Sequence, residues 1–143
     1  MRKGFTLPEI MLSLALLTII GGMTIPLYRT FMIRNDLDIA TVSLAQTMRR
    51  AQALSQAGDG DTTWGVHVGV GGILLFKGSS YVTRDMAFDE NTQMPTSISV
   101  TGLTDVVFAK VTGAPYATGT TIFTSQSNEV RTITINEKGM VDY

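Results

Sequence analysis

The chain opens on Gly4-Phe5-Thr6-Leu7-Pro8-Glu9, reached through Met1-Arg2-Lys3, and from Ile10 to Tyr28 it carries no charged residue, a run of 19. About 20 apolar residues of helix cross the hydrocarbon core of a bilayer, so the stretch predicts a membrane anchor over residues 5–28. Arg2 and Lys3 precede it, and Arg29 and Arg34 follow it. A short basic start stays cytoplasmic by the positive-inside tendency. The expected topology is one pass through the cytoplasmic (inner) membrane with the C-terminal part outside. The two arginines on the far side weaken this orientation without reversing it.

An ordinary cleaved signal peptide is the first alternative, with Gly21-Gly22 imitating the small-residue cleavage site. Two features fit it poorly. The apolar run continues past that point through Met23, Ile25, Leu27 and Tyr28, and a carboxylate, Glu9, stands at its start. A charge costs roughly 2.5–3.5 kcal/mol at a bilayer centre and less near the interface, so Glu9 needs a partner or a role.

Lys3-Gly4-Phe5-Thr6-Leu7-Pro8-Glu9 resembles the prepilin peptidase site of type IV pilins and type II secretion pseudopilins. The resemblance implies cleavage between Gly4 and Phe5, N-methylation of Phe5, and a long assembly helix with Glu9 as the fifth mature residue. Pro26 falls where many members carry a helix-kinking proline. Pro8 departs from the usual Ile or Val, but proline is tolerated in a helix's first turn, which keeps a helix starting at Phe5 open. Implied partners are other pilin or pseudopilin subunits, prepilin peptidase, an inner-membrane assembly platform, and the membrane itself through residues 5–28. The implied destination is an extracellular or periplasmic filament.

Cleavage would free an α-amino group on Phe5, one helical turn from Glu9. In a filament, Glu9 of one subunit can neutralise the Phe5 amine of a neighbour. Buried charge is tolerated only when paired, so the pair penalises wrong axial offsets. The plainer reading of Glu9 is an interfacial residue that snorkels or helps cap the helix start. Pro26 removes a helical hydrogen bond, so with Gly21 and Gly22 it predicts a kink or local melting over 21–26. The alternative is that Gly22 and Pro26 merely end the membrane helix.

Beyond residue 34 the pattern changes. Leu37, Ala40, Leu44, Met48, Ala51 and Leu54 recur at spacings of three and four, the stripe of an amphipathic helix over 35–57. Gly58 ends it, and Asp59-Gly60-Asp61 reads as a loop. Strands are expected at 63–68, 73–76, 97–101, 105–109, 121–123, 130–135 and 140–141, with turns at Val70-Gly71-Gly72, Lys77-Gly78-Ser79-Ser80 and Asn136-Glu137-Lys138-Gly139. The expected fold is α+β and pilin-like: a long N-terminal helix, membrane-spanning in its first half and amphipathic in its second, packed on a C-terminal antiparallel β-rich domain. The parts are a leader at 1–4, the transmembrane and assembly half at 5–34, the amphipathic half at 35–57 and the β domain at 58–143. Arg49-Arg50-Ala51-Gln52-Ala53-Leu54-Ser55, Trp64-Gly65-Val66-His67-Val68, Phe76-Lys77-Gly78-Ser79-Ser80-Tyr81 and the 133–139 hairpin resemble FimT/GspH-type minor pilins and pseudopilins.

No catalytic constellation accompanies these features. The chain has no cysteine and one histidine, His67, set in a strand alternation. No nucleophile elbow, Walker or dinucleotide motif is present, and Val68-Gly69-Val70-Gly71-Gly72 opens no helix. Catalytic residues, metal ligands and cofactors are therefore expected to be none. Asp59 with Asp61, and Asp89-Glu90-Asn91, read as solvated loops rather than calcium sites, since the EF-hand spacing is not met. Residues 58–143 hold five cations and nine anions, which argues against DNA as a main partner. The leading reading is a non-enzymatic structural subunit of a pilus or a secretion pseudopilus. A tip-located minor pilin binding DNA or a secreted substrate is the alternative, and a bitopic membrane protein without a filament is a third.

Overall fold

A computed structural model describes residues 4–143, with side chains except at positions 23–27 and 29. Arg2 and Lys3 of the basic start and the side chain of Pro26 lie outside the described residues. One long helix, α1 (Leu7–Ala57), is followed by a 3₁₀ turn at Asp59–Asp61 and eight strands. The chain divides into two compact units between Ile33 and Arg34, inside α1.

The first unit is helical from Leu7 onward, not from Phe5. Pro8, at the second helical position, removes an N–H that would have had no partner in the helix. The helix is assigned without interruption through Gly21, Gly22 and Pro26. Its apolar side chains are exposed all round: Leu7, Ile10, Met11, Leu12, Leu14, Leu16, Leu17, Ile19, Ile20, Phe31 and Met32. The two hydroxyls between residues 10 and 22 bond back to the helix. Ser13 donates to the carbonyl of Glu9 at 2.8 Å, and Thr18 to those of Leu14 and Ala15 at 3.1 and 2.8 Å. Such back-bonding leaves no naked hydroxyl for an apolar surrounding to penalise. Among the described residues no helix is long and apolar enough to cross a membrane; the run from Ile10 to Tyr28 includes residues 23–27, whose side chains are outside that description.

In the second unit α1 behaves as the sequence pattern predicts. Leu37, Ala40, Leu44, Met48 and Ala51 are buried, Leu54 packs half-buried against them, and Ala45 joins them from the adjoining face. A stripe at this spacing is stable only when something covers it, and two antiparallel four-stranded sheets do so. The first has the order β3-β2-β1-β5, from β1 (Trp64–Gly69), β2 (Gly72–Lys77), β3 (Asp85–Gln93) and β5 (Asp105–Phe108). The second has the order β4-β6-β7-β8, from β4 (Ser99–Gly102), β6 (Gly119–Thr124), β7 (Val130–Ile135) and β8 (Val141–Asp142). One core joins the helix stripe to Trp64, Val66, Val68, Ile73 and Leu75 of the first sheet and to Phe123, Ile133 and Ile135 of the second. The expected α+β arrangement, helix first and antiparallel sheets after, is the observed one.

Strand β3 is a correction. Asp89-Glu90-Asn91 was expected in a loop, and it lies in a strand at the sheet's edge. Alternation and β-branched residues are scarce there because the strand is exposed along nearly its whole length, and edge strands tolerate charge. Its acids are also paired, Asp89 with Arg84 at 2.9 Å and Glu90 with Arg50 of α1 at 2.7 Å. Two further surface pairs tie α1 to the second sheet region, Arg34 to Glu129 at 2.9 Å and Asp38 to Arg131 at 2.8 Å. Exposed pairs of this kind contribute at most about 1 kcal/mol each, so the core decides the packing and the pairs trim it.

The end of α1 is fixed by one serine. Gly58 adopts the left-handed conformation (φ 66°) that closes a helix. The carbonyl of Ser55 accepts from the N–H groups of Gly58 and Val111, at 3.2 and 2.9 Å. Its hydroxyl oxygen accepts from the N–H of Trp64 at 2.9 Å, at the first residue of β1. Trp64 in turn donates its indole N–H to the carbonyl of Asp59 at 3.1 Å. Ser55 is fully buried, so Ser55→Ala strands a buried donor. The expected loss is about 1–3 kcal/mol of unfolding free energy, read as a lower urea midpoint of fluorescence from Trp64, the sole tryptophan. An unchanged midpoint would show that water takes over the bond.

Candidate assembly site at the N-terminus

The residues singled out at the start of the chain converge. Gly4, Phe5, Thr6 and Glu9 line one depression. Thr6 precedes the first helical residue, and its carbonyl accepts from the N–H groups of Glu9 and Ile10, at 3.1 and 3.3 Å. Glu9 reaches back. Its Oε2 accepts from the backbone N–H of Thr6 and from the Thr6 hydroxyl, both at 3.3 Å. This is the returning half of a capping box, in which an acid three residues into the helix satisfies the N–H of the residue before it. The carboxylate also faces the positive end of the helix dipole. The plainer of the two readings of Glu9, that it helps cap the helix start, is therefore realised within the chain. One carboxylate oxygen caps, and Oε1 forms no hydrogen bond among the described residues.

Phe5 stands 80% exposed. A Cβ added at Gly4 would meet nothing within 4 Å. The peptide bond joining the two residues is thus open to approach from outside. Thr6 escaped the sequence reading, although the Thr-x-x-Glu spacing that marks a capping box was there to be seen. Gly22 is exposed and helical, and Pro26 is helical in its backbone.

In the second unit, His67 and Asp61, two residues weighed in the sequence for chemistry, have partners of their own. His67 donates from Nδ1 to Oδ1 of Asp105 at 2.8 Å and stacks on Tyr81, with ring centres 3.8 Å apart. Among the described residues no group of three His, Asp or Glu side chains could hold a metal ion. At the Asp59–Asp61 turn, Lys110 donates to Asp61 Oδ1, so a lysine ammonium already occupies the carboxylate that a cation would require.

Residues 1–25 match the family model of the prokaryotic N-terminal methylation motif, the signature of type IV pilin-like prepilins. No curated protein and no solved structure matches the chain.

The Asp61–Lys110 pair makes a pH prediction. The hydrogen bond from Lys110, aided by its positive charge, holds the Asp61 carboxyl below the usual carboxylate range, against a smaller opposing effect of desolvation. A depressed folded-state value stabilises above the unfolded value, and that stabilisation is lost as pH falls through the folded one. Asp61 should accordingly titrate at lower pH than an ordinary aspartate in carboxyl-detected NMR. Lys110→Gln should return it to the ordinary range; an unmoved titration would remove Lys110 as the cause.

Proposed function

We propose that this chain is a structural, non-enzymatic subunit of a type IV pilus or a type II secretion pseudopilus. On this reading prepilin peptidase cuts between Gly4 and Phe5, Phe5 is N-methylated, and residues 5–28 hold the mature chain in the cytoplasmic membrane. An assembly platform then draws it into an extracellular or periplasmic filament of like subunits. The observation that carries the proposal is the pairing of the methylation motif with a helix whose described apolar side chains are exposed on every face from Leu7 to Ile20 and again at Phe31 and Met32. A helix apolar all round is stable only in lipid or among other helices, and a filament core supplies the second after a membrane has supplied the first.

Glu9 is the residue that selects the neighbour. Its Oε2 caps its own helix through Thr6, and its second oxygen takes the Phe5 amine of an adjoining subunit. An apolar core leaves neither charge another partner, so the register that joins them is favoured over those that do not. Within the pilin-like class, the two antiparallel sheets behind the helix are of FimT/GspH type, a reading supported by the helix-end and hairpin motifs quoted above. Gly22 and Pro26 are the positions where the helix bends as it passes from lipid to filament.

The test is incorporation. Glu9→Ala should leave cleavage and membrane insertion intact while lowering the amount of subunit recovered in sheared filaments by at least about tenfold, the factor that corresponds to about 1.4 kcal/mol. Recovery equal to that of the unaltered subunit would sink the pairing role.

A further inference from the structure

The first sheet turns one face to the core and the other outward, and the outward face carries a site that the filament reading does not use. Across β5, β1, β2 and β3 the register sets Asp105, His67, Leu74 and Asn91 in one row. Their sequence neighbours Val66, Val68, Ile73, Leu75 and Val106 are buried in the core, so strand alternation points this row the other way. Above it lies a depression of about 420 Å³, whose walls are the Gly69–Gly72 hairpin on one side and Tyr81, Arg84 and Asp89 on the other. Small-molecule sites begin at roughly 300 Å³.

The hairpin keeps this space open because it is nearly all glycine. A Cβ on Gly69 would stand 3.4 Å from His67 Nε2, and one on Gly72 would stand 2.6 Å from Asn91 Oδ1. The opposite wall is rigid. Arg84 Nε donates to both oxygens of Asp89, at 3.1 and 2.9 Å, and Nη1 donates to the carbonyl of Tyr81 at 2.8 Å. The Arg84 guanidinium also lies 4.2 Å from the centre of the Tyr81 ring, which itself stacks on His67.

The chemistry turned toward the depression is polar and close to neutral. Arg84 is balanced by Asp89, so neither an anion nor a cation finds an unpaired countercharge. His67 Nδ1 is engaged by Asp105, so Nε2 is the ring nitrogen left to meet a ligand, as an acceptor in the neutral imidazole. The Asn91 amide both donates and accepts, and so does the Tyr81 hydroxyl; neither has a partner among the described residues. Unpaired donors and acceptors in mixture, without net charge, complement a molecule dense in hydroxyl groups. We propose that this depression binds a neutral sugar residue of a glycan, with Asn91, Tyr81 and His67 Nε2 as its hydrogen-bonding groups. The site is shallow and polar, so its affinity is expected on the order of millimolar.

The experiment uses the full chain in micelles of a detergent without a sugar head group, followed by amide NMR. Glucose, galactose and N-acetylglucosamine are titrated separately, with inorganic phosphate as the anionic probe. At least one sugar should shift amides clustered at 67–72 and 89–91, and phosphate should shift none of them. Asn91→Ala, on an exposed strand, and Gly69→Val, which fills the hairpin wall, should each weaken the response at least about tenfold with Trp64 emission unchanged. Shifts produced by phosphate, the absence of a clustered response to all three sugars, or an undiminished response in a folded Asn91→Ala variant would each overturn the proposal.

Discussion

The constraint on which this molecule rests is the apolar surface between Leu7 and Met32. The described apolar side chains there, Leu7 to Ile20 with Phe31 and Met32, are exposed on every face of α1, and water is the wrong solvent for them. The polar groups from Glu9 to Thr18 are disposed accordingly. Ser13 and Thr18 return their hydroxyl protons to the helix. Glu9 folds back on Thr6 at the one place where the helix has N–H groups to spare. A carboxylate so placed is held in a defined position, with one of its oxygens in no hydrogen bond among the described residues.

The second unit solves a different problem with the same helix. From Arg34 onward the apolar residues narrow to one stripe, and the two sheets cover it. The join is chemical as well as apolar. Ser55 satisfies N–H groups from the helix end, from the segment after β5 and from the start of β1. On the outward side of the first sheet, Gly65 lies opposite Phe76, and a Cβ there would come within 2.5 Å of the ring. The aromatic covers what the glycine leaves bare, so a residue that weakens a strand by itself is repaired by its cross-strand neighbour.

Much of this was legible in the residues. The stripe Leu37 to Leu54 is a periodicity, and periodicity survives folding because burial creates it. Gly58, Gly71 and Gly139 mark ends and turns through positive φ values that other residues resist. What escaped had a physical reason. Strand β3 lies at an edge, so its partner β2 gives it order while solvent gives it composition. The helix start moved from Phe5 to Leu7 because Thr6, not Phe5, has the side chain and the returning acid that a cap requires. The outward site of His67, Tyr81, Arg84 and Asn91 draws on β1, β3 and the loop between β2 and β3, and no spacing along the chain brings those together. The methylation motif over residues 1–25 was the opposite case, since its residues follow one another along the chain and are read as a word.

The account stands on processing at that motif, and mass spectrometry of the intact protein from its native membrane tests it most directly. The prediction is a chain that begins at Phe5, with one added methyl group on its α-amine and with Met1 to Gly4 gone. A native chain whose N-terminus is still Met1 would contradict it, and would leave residues 5–28 as an anchor and nothing more.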